Sequence, residues 1–377
     1  TPTDPRVVEA MLPYFTKQYG NPSSIYKLAQ EAHEAKEVAR EKVARILRAK
    51  PEEVVFTSGG TEADNLAVKG VAYANREKGN HIVTSQIEHH AVLNVCKWLE
   101  TQGYEVTYLG VDKYGLVNLE ELRKAITART ILITIMQANN EIGTIEPISK
   151  IGEIARERGI YLHTDAVQTV GKIPIVVDEL GVDLLSLSAH KFHGPKGVGA
   201  LYIRRGTRVA PLIHGGHHER NRRAGTENVP AIVGLGKACA IALEEGEEET
   251  RKVKALTERL RKGILDRVDD IIVNGHPEHR LHNTLNVCVE HVEGESVLLN
   301  LDMAGIAAST GSACASGSLE PSHVLSAIGV PPETARGSVR FSLGKGTTRA
   351  DVDFVLEALP PIVEKLRAMS PLGKLNH

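Results

Sequence analysis

The sequence runs to 377 residues with a formal net charge of -2, 42% hydrophobic and 24% charged residues, the balance of a soluble globular protein with room for two domains and a large core. Near-neutral charge leaves no basic footprint for nucleic acid or an anionic membrane, and no apolar stretch approaches the ~20 residues of a membrane span. Four cysteines without a CxxC pair fit a reducing cytosol rather than a disulfide scaffold, and Thr1-Pro-Thr-Asp-Pro5 does not read as a signal peptide.

In chain order, the first expected element is a helix over Glu31–Arg48, with Ala35, Val38, Ala39, Val43, Ile46 and Leu47 as its apolar stripe at spacings of three and four. A β-branched run, Val54-Val-Phe-Thr57, then breaks at Gly59-Gly60 into a helical pattern, with Thr61 and Asp64 reading as N-cap and capping box. Glycines before a helix N-terminus let backbone N–H groups approach an anion, so this is a phosphate cradle, though neither a P-loop nor GxGxxG. Strands are expected at His81–Thr84, Glu105–Leu109, Thr130–Ile135, Ile160–His163, Asp183–Leu187 and Gly199–Ile203, with helices such as Leu119–Ile126 and Ile148–Arg158 between several of them. That alternation predicts an α/β fold with a mostly parallel sheet flanked by helices, and sites at the carboxyl ends of its strands. The charged run Glu244–Lys254 reads as a solvated face at the start of a long linking helix. Strands near Ile271–Val273, Thr284–Cys288 and Ser338–Phe341, with helices near Glu295–Asp302 and Val352–Leu359, make a smaller C-terminal α/β domain. The expected division is a large domain over 10–248 and a small one over 249–377 with 1–9.

Two buried-strand patterns end on complementary groups. Ile160-Tyr-Leu-His-Thr-Asp165 ends on an acid, and Leu184-Leu-Ser-Leu187 leads through Ser188 to Lys191. A pyridoxal phosphate (PLP) enzyme needs this pair: the lysine amine forms a Schiff base with the cofactor aldehyde, and the aspartate keeps the pyridine nitrogen protonated. Taken singly, either residue reads more readily as an ordinary solvated loop lysine or strand-end aspartate.

Thr57-Ser-Gly-Gly-Thr-Glu62, Glu88-His89, Asn139-Asn-Glu-Ile-Gly143, Asp165-Ala-Val-Gln168, Ser188-Ala-His-Lys191, Arg223-Ala-Gly-Thr226, Ser312-Ala-Cys314 and Arg340-Phe-Ser-Leu-Gly344 together resemble a cysteine desulfurase of the NifS/IscS type, in the class V aminotransferase family of fold-type I PLP-dependent transferases. The resemblance covers almost the whole chain. It opens at what looks like the tail of the family's Ala-Thr-Thr-Pro motif, without the short strand before it, and Tyr26 stands where a histidine is usual. The resemblance implies that Gly60, Thr61, Ser188 and His190 hold the phosphate, that His89 stacks on the ring, and that Asn140 and Gln168 bond the ring oxygen. Thr226 would reach the phosphate of a second subunit, which implies a homodimer. Arg340, with Asn140, would take the substrate carboxylate.

On the residues alone, other readings stay open. His89 reads equally as a surface histidine, Asn140 and Gln168 as amides satisfying backbone groups, and Arg340 as half of a structural salt bridge. No HExxH or other metal spacing occurs. Cys96, Cys239 and Cys288 fall in apolar patterns and read as small core residues. Cys314 lies in Ser309-Thr-Gly-Ser-Ala-Cys-Ala-Ser-Gly-Ser318, polar and small, which is expected to be a mobile exposed loop where a cysteine's reactivity is used. A nearby cation such as protonated His89 could raise its thiolate fraction. The activity implied by the resemblance is conversion of L-cysteine to L-alanine with the sulfur left as a persulfide on Cys314, for an iron–sulfur scaffold protein or another acceptor in the cytoplasm. An aminotransferase, a selenocysteine lyase, or a non-catalytic partner-binding homologue stand as alternatives.

Overall fold

The computed structural model describes residues 1–311 and 322–369. The chain divides into two compact units. One comprises Thr1–Leu109, Asn118–Gln137 and Glu146–Gly246, and the other Gly110–Val117, Ala138–Ile145 and Glu247 onward. Residues 1–9, expected with the small domain, lie in the first unit. Asp4 N–H donates to the His193 carbonyl at 3.0 Å, Thr3 Oγ1 donates to the Gly194 carbonyl at 3.4 Å, and Val7 is fully buried. The excursions 110–117 and 138–145 join the second unit, which no local pattern announces.

The first unit is built on a seven-stranded sheet. Its strands are β1 Val54–Thr57, β2 His81–Ser85, β3 Glu105–Leu109, β4 Thr130–Thr134, β5 Tyr161–Asp165, β6 Leu184–Ser188 and β7 Gly199–Ile203. Their order is β1-β7-β6-β5-β4-β2-β3. The pairs from β3 through β6 are parallel, and β7 runs antiparallel to both β6 and β1. Every residue of β2, β4, β6 and β7 is buried, as a sheet flanked by helices requires. The helix Gly60–Ala74 supplies much of the packing: Ala63, Leu66, Ala67, Val68 and Val71 join Val55, Ile82, Leu132, Leu184 and Leu201 in one core cluster.

Two local expectations change. The helix expected at Glu31–Arg48 spans Lys27–Leu47 and ends on Arg48 at φ 55. Ala39, Val43, Ile46 and Leu47 of the expected stripe are buried, but Val38 is 42% exposed, and Lys36 and Arg40 are buried beside them. Both cations are drawn inward by acids from another segment, Glu227 and Glu219. The charged run Glu244–Lys254 lies within a longer helix, Val229–Leu265, rather than at its start.

The second unit carries a three-stranded antiparallel sheet of β8 Ile271–Asn274, β9 Thr284–Val289 and β10 Ser338–Ser342, with β9 central. Leu285, Val287, Val339 and Phe341 pack with Leu260, Val297 and Leu356 from helices. Cys96, Cys239 and Cys288 are all fully buried, the small-hydrophobe role expected of them.

Gly199 is the tightest junction near the cradle. A Cβ there would meet the Gly59 backbone at 2.8 Å. Gly199→Ala should therefore destabilise the protein by roughly 1–3 kcal/mol through forced backbone movement, read as a fall in the thermal unfolding midpoint.

Candidate active site

β5 and β6 run side by side with Asp165 opposite Ser186. Each ends on a polar residue, Asp165 and Ser188, and β6 passes straight into the single 3-10 turn Ala189–Lys191. Gly199 of β7 pairs with Ser188 on one side and with Thr57 on the other. That register carries the Gly59-Gly60 turn to Ser188. A Cβ on Gly60 would stand 2.7 Å from Val167 Cγ2 and 3.6 Å from Ser188 Cβ. The sheet thus gathers Gly60, Ser188, Asp165 and the Lys191 turn at one edge, the strand-exit rule of open α/β sheets.

The cradle differs in detail from its expected form. The helix begins at Gly60 with Gly59 as N-cap, at φ 152, a value that favours glycine. Thr61 sits exposed in the first turn rather than capping it. Ser58 N–H donates instead to Glu62 Oε2 at 2.8 Å. Asp64 does not complete a capping box; its side chain is buried in the core, 3.7 Å from His163 Nε2.

Asp165 is 5% exposed and accepts the Val167 N–H at 2.9 Å. Burial pushes its carboxyl up to about 6, while the Val167 N–H and then the Lys191 charge pull it down. Burial and then the Lys191 charge hold His190 down to about 4, so it stays neutral. His89 is the N-cap of the helix His90–Thr101 and accepts the Ala91 N–H on Nδ1 at 3.1 Å. That bond requires an unprotonated Nδ1, so the proton sits on Nε2. An imidazolium would lose the cap and face the positive end of the helix dipole, which works against His89 as the thiolate's cation. Gln168 accepts from Lys172 Nζ at 3.3 Å through Oε1 and at 2.9 Å through its carbonyl.

Three buried polar residues near Asp165 were given no role at the site by the sequence: Asp64 stood only as a capping residue, Glu88 only within a motif, and His163 not at all. His163 lies two residues before Asp165 on β5 and so shares its face. Its ring is held between Thr134 Oγ1 at 2.8 Å and Ser186 Oγ at 2.9 Å, and burial takes it down to about 3, a neutral imidazole. Burial, and next the charge of Asp165, raise the Asp64 carboxyl well above the usual range. Glu88, which takes the Ser85 hydroxyl at 2.6 Å and the Met136 N–H at 3.0 Å, is pushed up to about 8 by burial. The sequence signal was present in the period-two alternation that sets His163 beside Asp165.

Asn140 and Arg340 belong to the second unit. Arg340, on β10, donates from Nη1 to the Asn140 carbonyl at 2.7 Å, and its backbone bridges to Ser309. Cys314 lies outside the described residues. The flanks of its segment both meet Glu141: Ser322 Oγ donates to Glu141 Oε2 at 2.5 Å, and a Cβ on Gly311 would run into the same carboxylate. Thr226 is exposed in the first unit, beside a cavity of about 170 Å³ that Thr57, Ser58, Arg223 and Glu227 also line.

The sign of the Asp165 shift gives a test. Its folded value is raised from 3.8 to about 6, so the ligand-free protein loses stability as pH rises through that window, by about 3 kcal/mol in all. Asp165→Asn removes the loss. The stability of the variant relative to the parent should grow by about 1–2 kcal/mol between pH 5 and pH 7 in urea unfolding of the ligand-free proteins. A constant difference would contradict the burial argument.

The class-V aminotransferase family model matches residues 1–355. The cysteine desulfurase IscS of Methanosarcina thermophila is 61% identical over 372 residues, spanning 99% of this chain and 92% of that relative. The IscS of Clostridium botulinum is 54% identical over 374 residues, spanning 99% and 94%. A solved NifS-like protein superposes with a TM-score of 0.92 at 42% identity, covering 97% of each chain. SspA in complex with cysteine superposes at 0.82 with 40% identity, covering 92% of this chain and 97% of that one. The chain belongs to the class-V aminotransferase family, among its cysteine desulfurases.

Proposed function

We propose that this protein is a PLP-dependent cysteine desulfurase that converts L-cysteine to L-alanine and leaves the sulfur as a persulfide on Cys314. The observation that carries the reading is the joint placement of an anion cradle, a buried carboxylate and a lysine-bearing turn at the exits of β1, β5 and β6. Those three features match the three functional ends of PLP. Gly59-Gly60, the helix N-terminus behind them, and Ser188 suit a phosphate. The Asp165 carboxylate, pushed up by burial, suits a protonated ring nitrogen. The Lys191 amine suits the aldehyde. The backbone at Gly59 is open to an approaching group, since a Cβ there would meet nothing nearer than Ser188 Oγ at 3.8 Å. Thr61, His190 and Gln168 belong to the same set by resemblance.

When bound, PLP supplies an electron sink for negative charge at the substrate α-carbon. The protein's own groups do the rest. Arg340, with Asn140, holds the substrate carboxylate in its planar fork. Lys191 Nζ takes the α-proton. Neutral His89, with its proton on Nε2, stacks on the ring and hands protons at the substrate sulfur or β-carbon. The Cys314 thiolate attacks the substrate sulfur; an S–S bond forms, the substrate C–S bond breaks, and the carbon skeleton ends as alanine after protonation. Cysteine and one enzyme thiol thus give alanine and one enzyme persulfide, with atoms balanced. The reading includes a cytosolic homodimer, with Thr226 serving the second subunit's phosphate, and an iron–sulfur scaffold protein as sulfur acceptor. Among the described residues no helix is long and apolar enough to cross a membrane.

Mass spectrometry after brief exposure to cysteine without reductant should find one added sulfur on the peptide holding Cys314. Cys314→Ser should keep the cofactor yet release almost no sulfide, whereas alanine at Cys96, Cys239 or Cys288 should leave most of the activity. Sulfur on another cysteine, or sulfide from Cys314→Ser at the parent rate, would falsify the assignment. Lys191→Ala should lose the borohydride-fixed cofactor while keeping its fold. For Arg340→Gln, the apparent KM for cysteine should rise at least tenfold, the scale of one lost charge-assisted bond; an unchanged KM removes Arg340 from carboxylate binding.

A further inference from the structure

The segment from His217 to Glu227 is pinned to its own chain at every fourth residue. Glu219 pairs with Arg40 at 2.7 Å, Arg223 with Glu62 at 2.9 Å, and Glu227 with Lys36 at 2.8 Å. Between the first two pins the backbone is left-handed at Glu219, Arg220 and Asn221, with φ of 45, 56 and 65. Consecutive non-glycine residues in that region persist only where the surroundings force them, and such strain marks functional segments.

The pin at Glu219 is the strongest. The Arg40 and Glu219 side chains are 3% and 2% exposed. The guanidinium directs N–H donors to Glu37 from Nε at 3.0 Å and from Nη2 at 3.2 Å. It reaches Glu219 from Nη1 at 2.8 Å and Nη2 at 2.7 Å, and the Val54 carbonyl from Nη1 at 2.9 Å. That satisfies every donor an arginine has. Glu219 also takes the Phe56 N–H at 2.8 Å, and the guanidinium lies 4.6 Å from the Phe56 ring centroid. β1 is the edge strand of its sheet. Val54 and Phe56 both turn backbone groups to the pair, which stands where a further strand would. Beyond the third left-handed residue the loop holds Gly225, at φ 112, and Thr226, exposed between the pins at Arg223 and Glu227.

We propose that Arg40, through Glu219, is a positioning residue acting in trans: it sets the strained loop so that Thr226 is presented to the cofactor phosphate of a second copy of this chain. The inference rests on the reading of Thr226 given above. Phe56 leads into the chain's own cradle, so the rival is an action of Arg40 in cis, on the site of its own subunit.

Heterodimers separate the two. One chain carries Arg40→Met, the other Lys191→Ala, with distinct tags. The apoprotein is titrated with PLP, reduced with borohydride, and each intact chain is weighed. Only the Arg40→Met chain can be labelled covalently. In the Arg40→Met homodimer its labelling should need at least tenfold more PLP than the parent. In the heterodimer the loop facing that site comes from an intact Arg40 chain, so half-labelling should return to the parent concentration. Glu219→Gln, which keeps the shape and removes the charge, should repeat the pattern and guards against a folding defect in Arg40→Met. If the raised concentration persists in both heterodimers, Arg40 acts in cis and the inference is overturned. The same pairing with Thr226→Val tests the underlying reading: restored labelling there with none for Arg40→Met overturns the inference alone. A defect that persists with Thr226→Val, or a monomeric protein, overturns both.

Discussion

A carboxylate that is 5% exposed and pushed up to about 6 by burial is secure as an anion only when a cation stands against it. Asp165 is such a group, and much of the first unit is arranged around its charge. Its buried neighbours are biased against charge. His163 is held uncharged between two hydroxyls, and burial raises Glu88 and Asp64 toward their protonated forms. Three acids and a histidine near one another could have produced a ruinous cluster of buried charge. That bias favours leaving charge at Asp165, where a ring nitrogen would meet it. The Lys191 charge, already lowering Asp165, stabilises the same anion from the adjoining turn.

The same economy explains the helix Gly60–Ala74. Its N-terminus offers backbone N–H groups and the positive end of its dipole at the exit of β1. Four residues further on it delivers Asp64 to the core near His163. One element therefore supplies the phosphate end of the site and part of the buried network behind Asp165. Gly199 makes this possible, because a Cβ there would meet the Gly59 backbone at 2.8 Å and hold the helix start away from β7.

Much of this was legible in the sequence, for a physical reason. Parallel strands buried on both faces produce apolar runs, and the residue that ends each run is the residue at the sheet's carboxyl edge, so Asp165, Ser188 and the Lys191 turn could be placed by strand alone. What was not legible depended on partners distant in the chain. The helix over Lys27–Leu47 buries most of its expected stripe but also Lys36 and Arg40, and it exposes Val38, because Glu227 and Glu219 arrive from nearly two hundred residues away. The capping box failed as well. Thr61 and Asp64 have the right spacing, but the helix already starts at Gly60 with Gly59 as its N-cap, which leaves Asp64 turned into the core. Asn140, expected from the resemblance among the cofactor's partners, falls in the excursion 138–145 that belongs to the second unit, which no local pattern announces.

The sulfur carrier imposes a different requirement on the second unit. In the proposed reaction Cys314 meets the substrate and then an acceptor, and the described residues on either side of its segment share one anchor. Gly311 and Ser322 both abut the Glu141 carboxylate, and Ser309 is bridged to Arg340. Glu141 is itself 1% exposed, its N–H held by Asn139 Oδ1 at 2.8 Å. One buried side chain therefore sets both ends. The Asn139-Asn-Glu-Ile-Gly143 motif then has a physical content. Asn139 fixes the turn, Asn140 offers its carbonyl to Arg340, and Glu141 ties the carrier's flanks to that same turn.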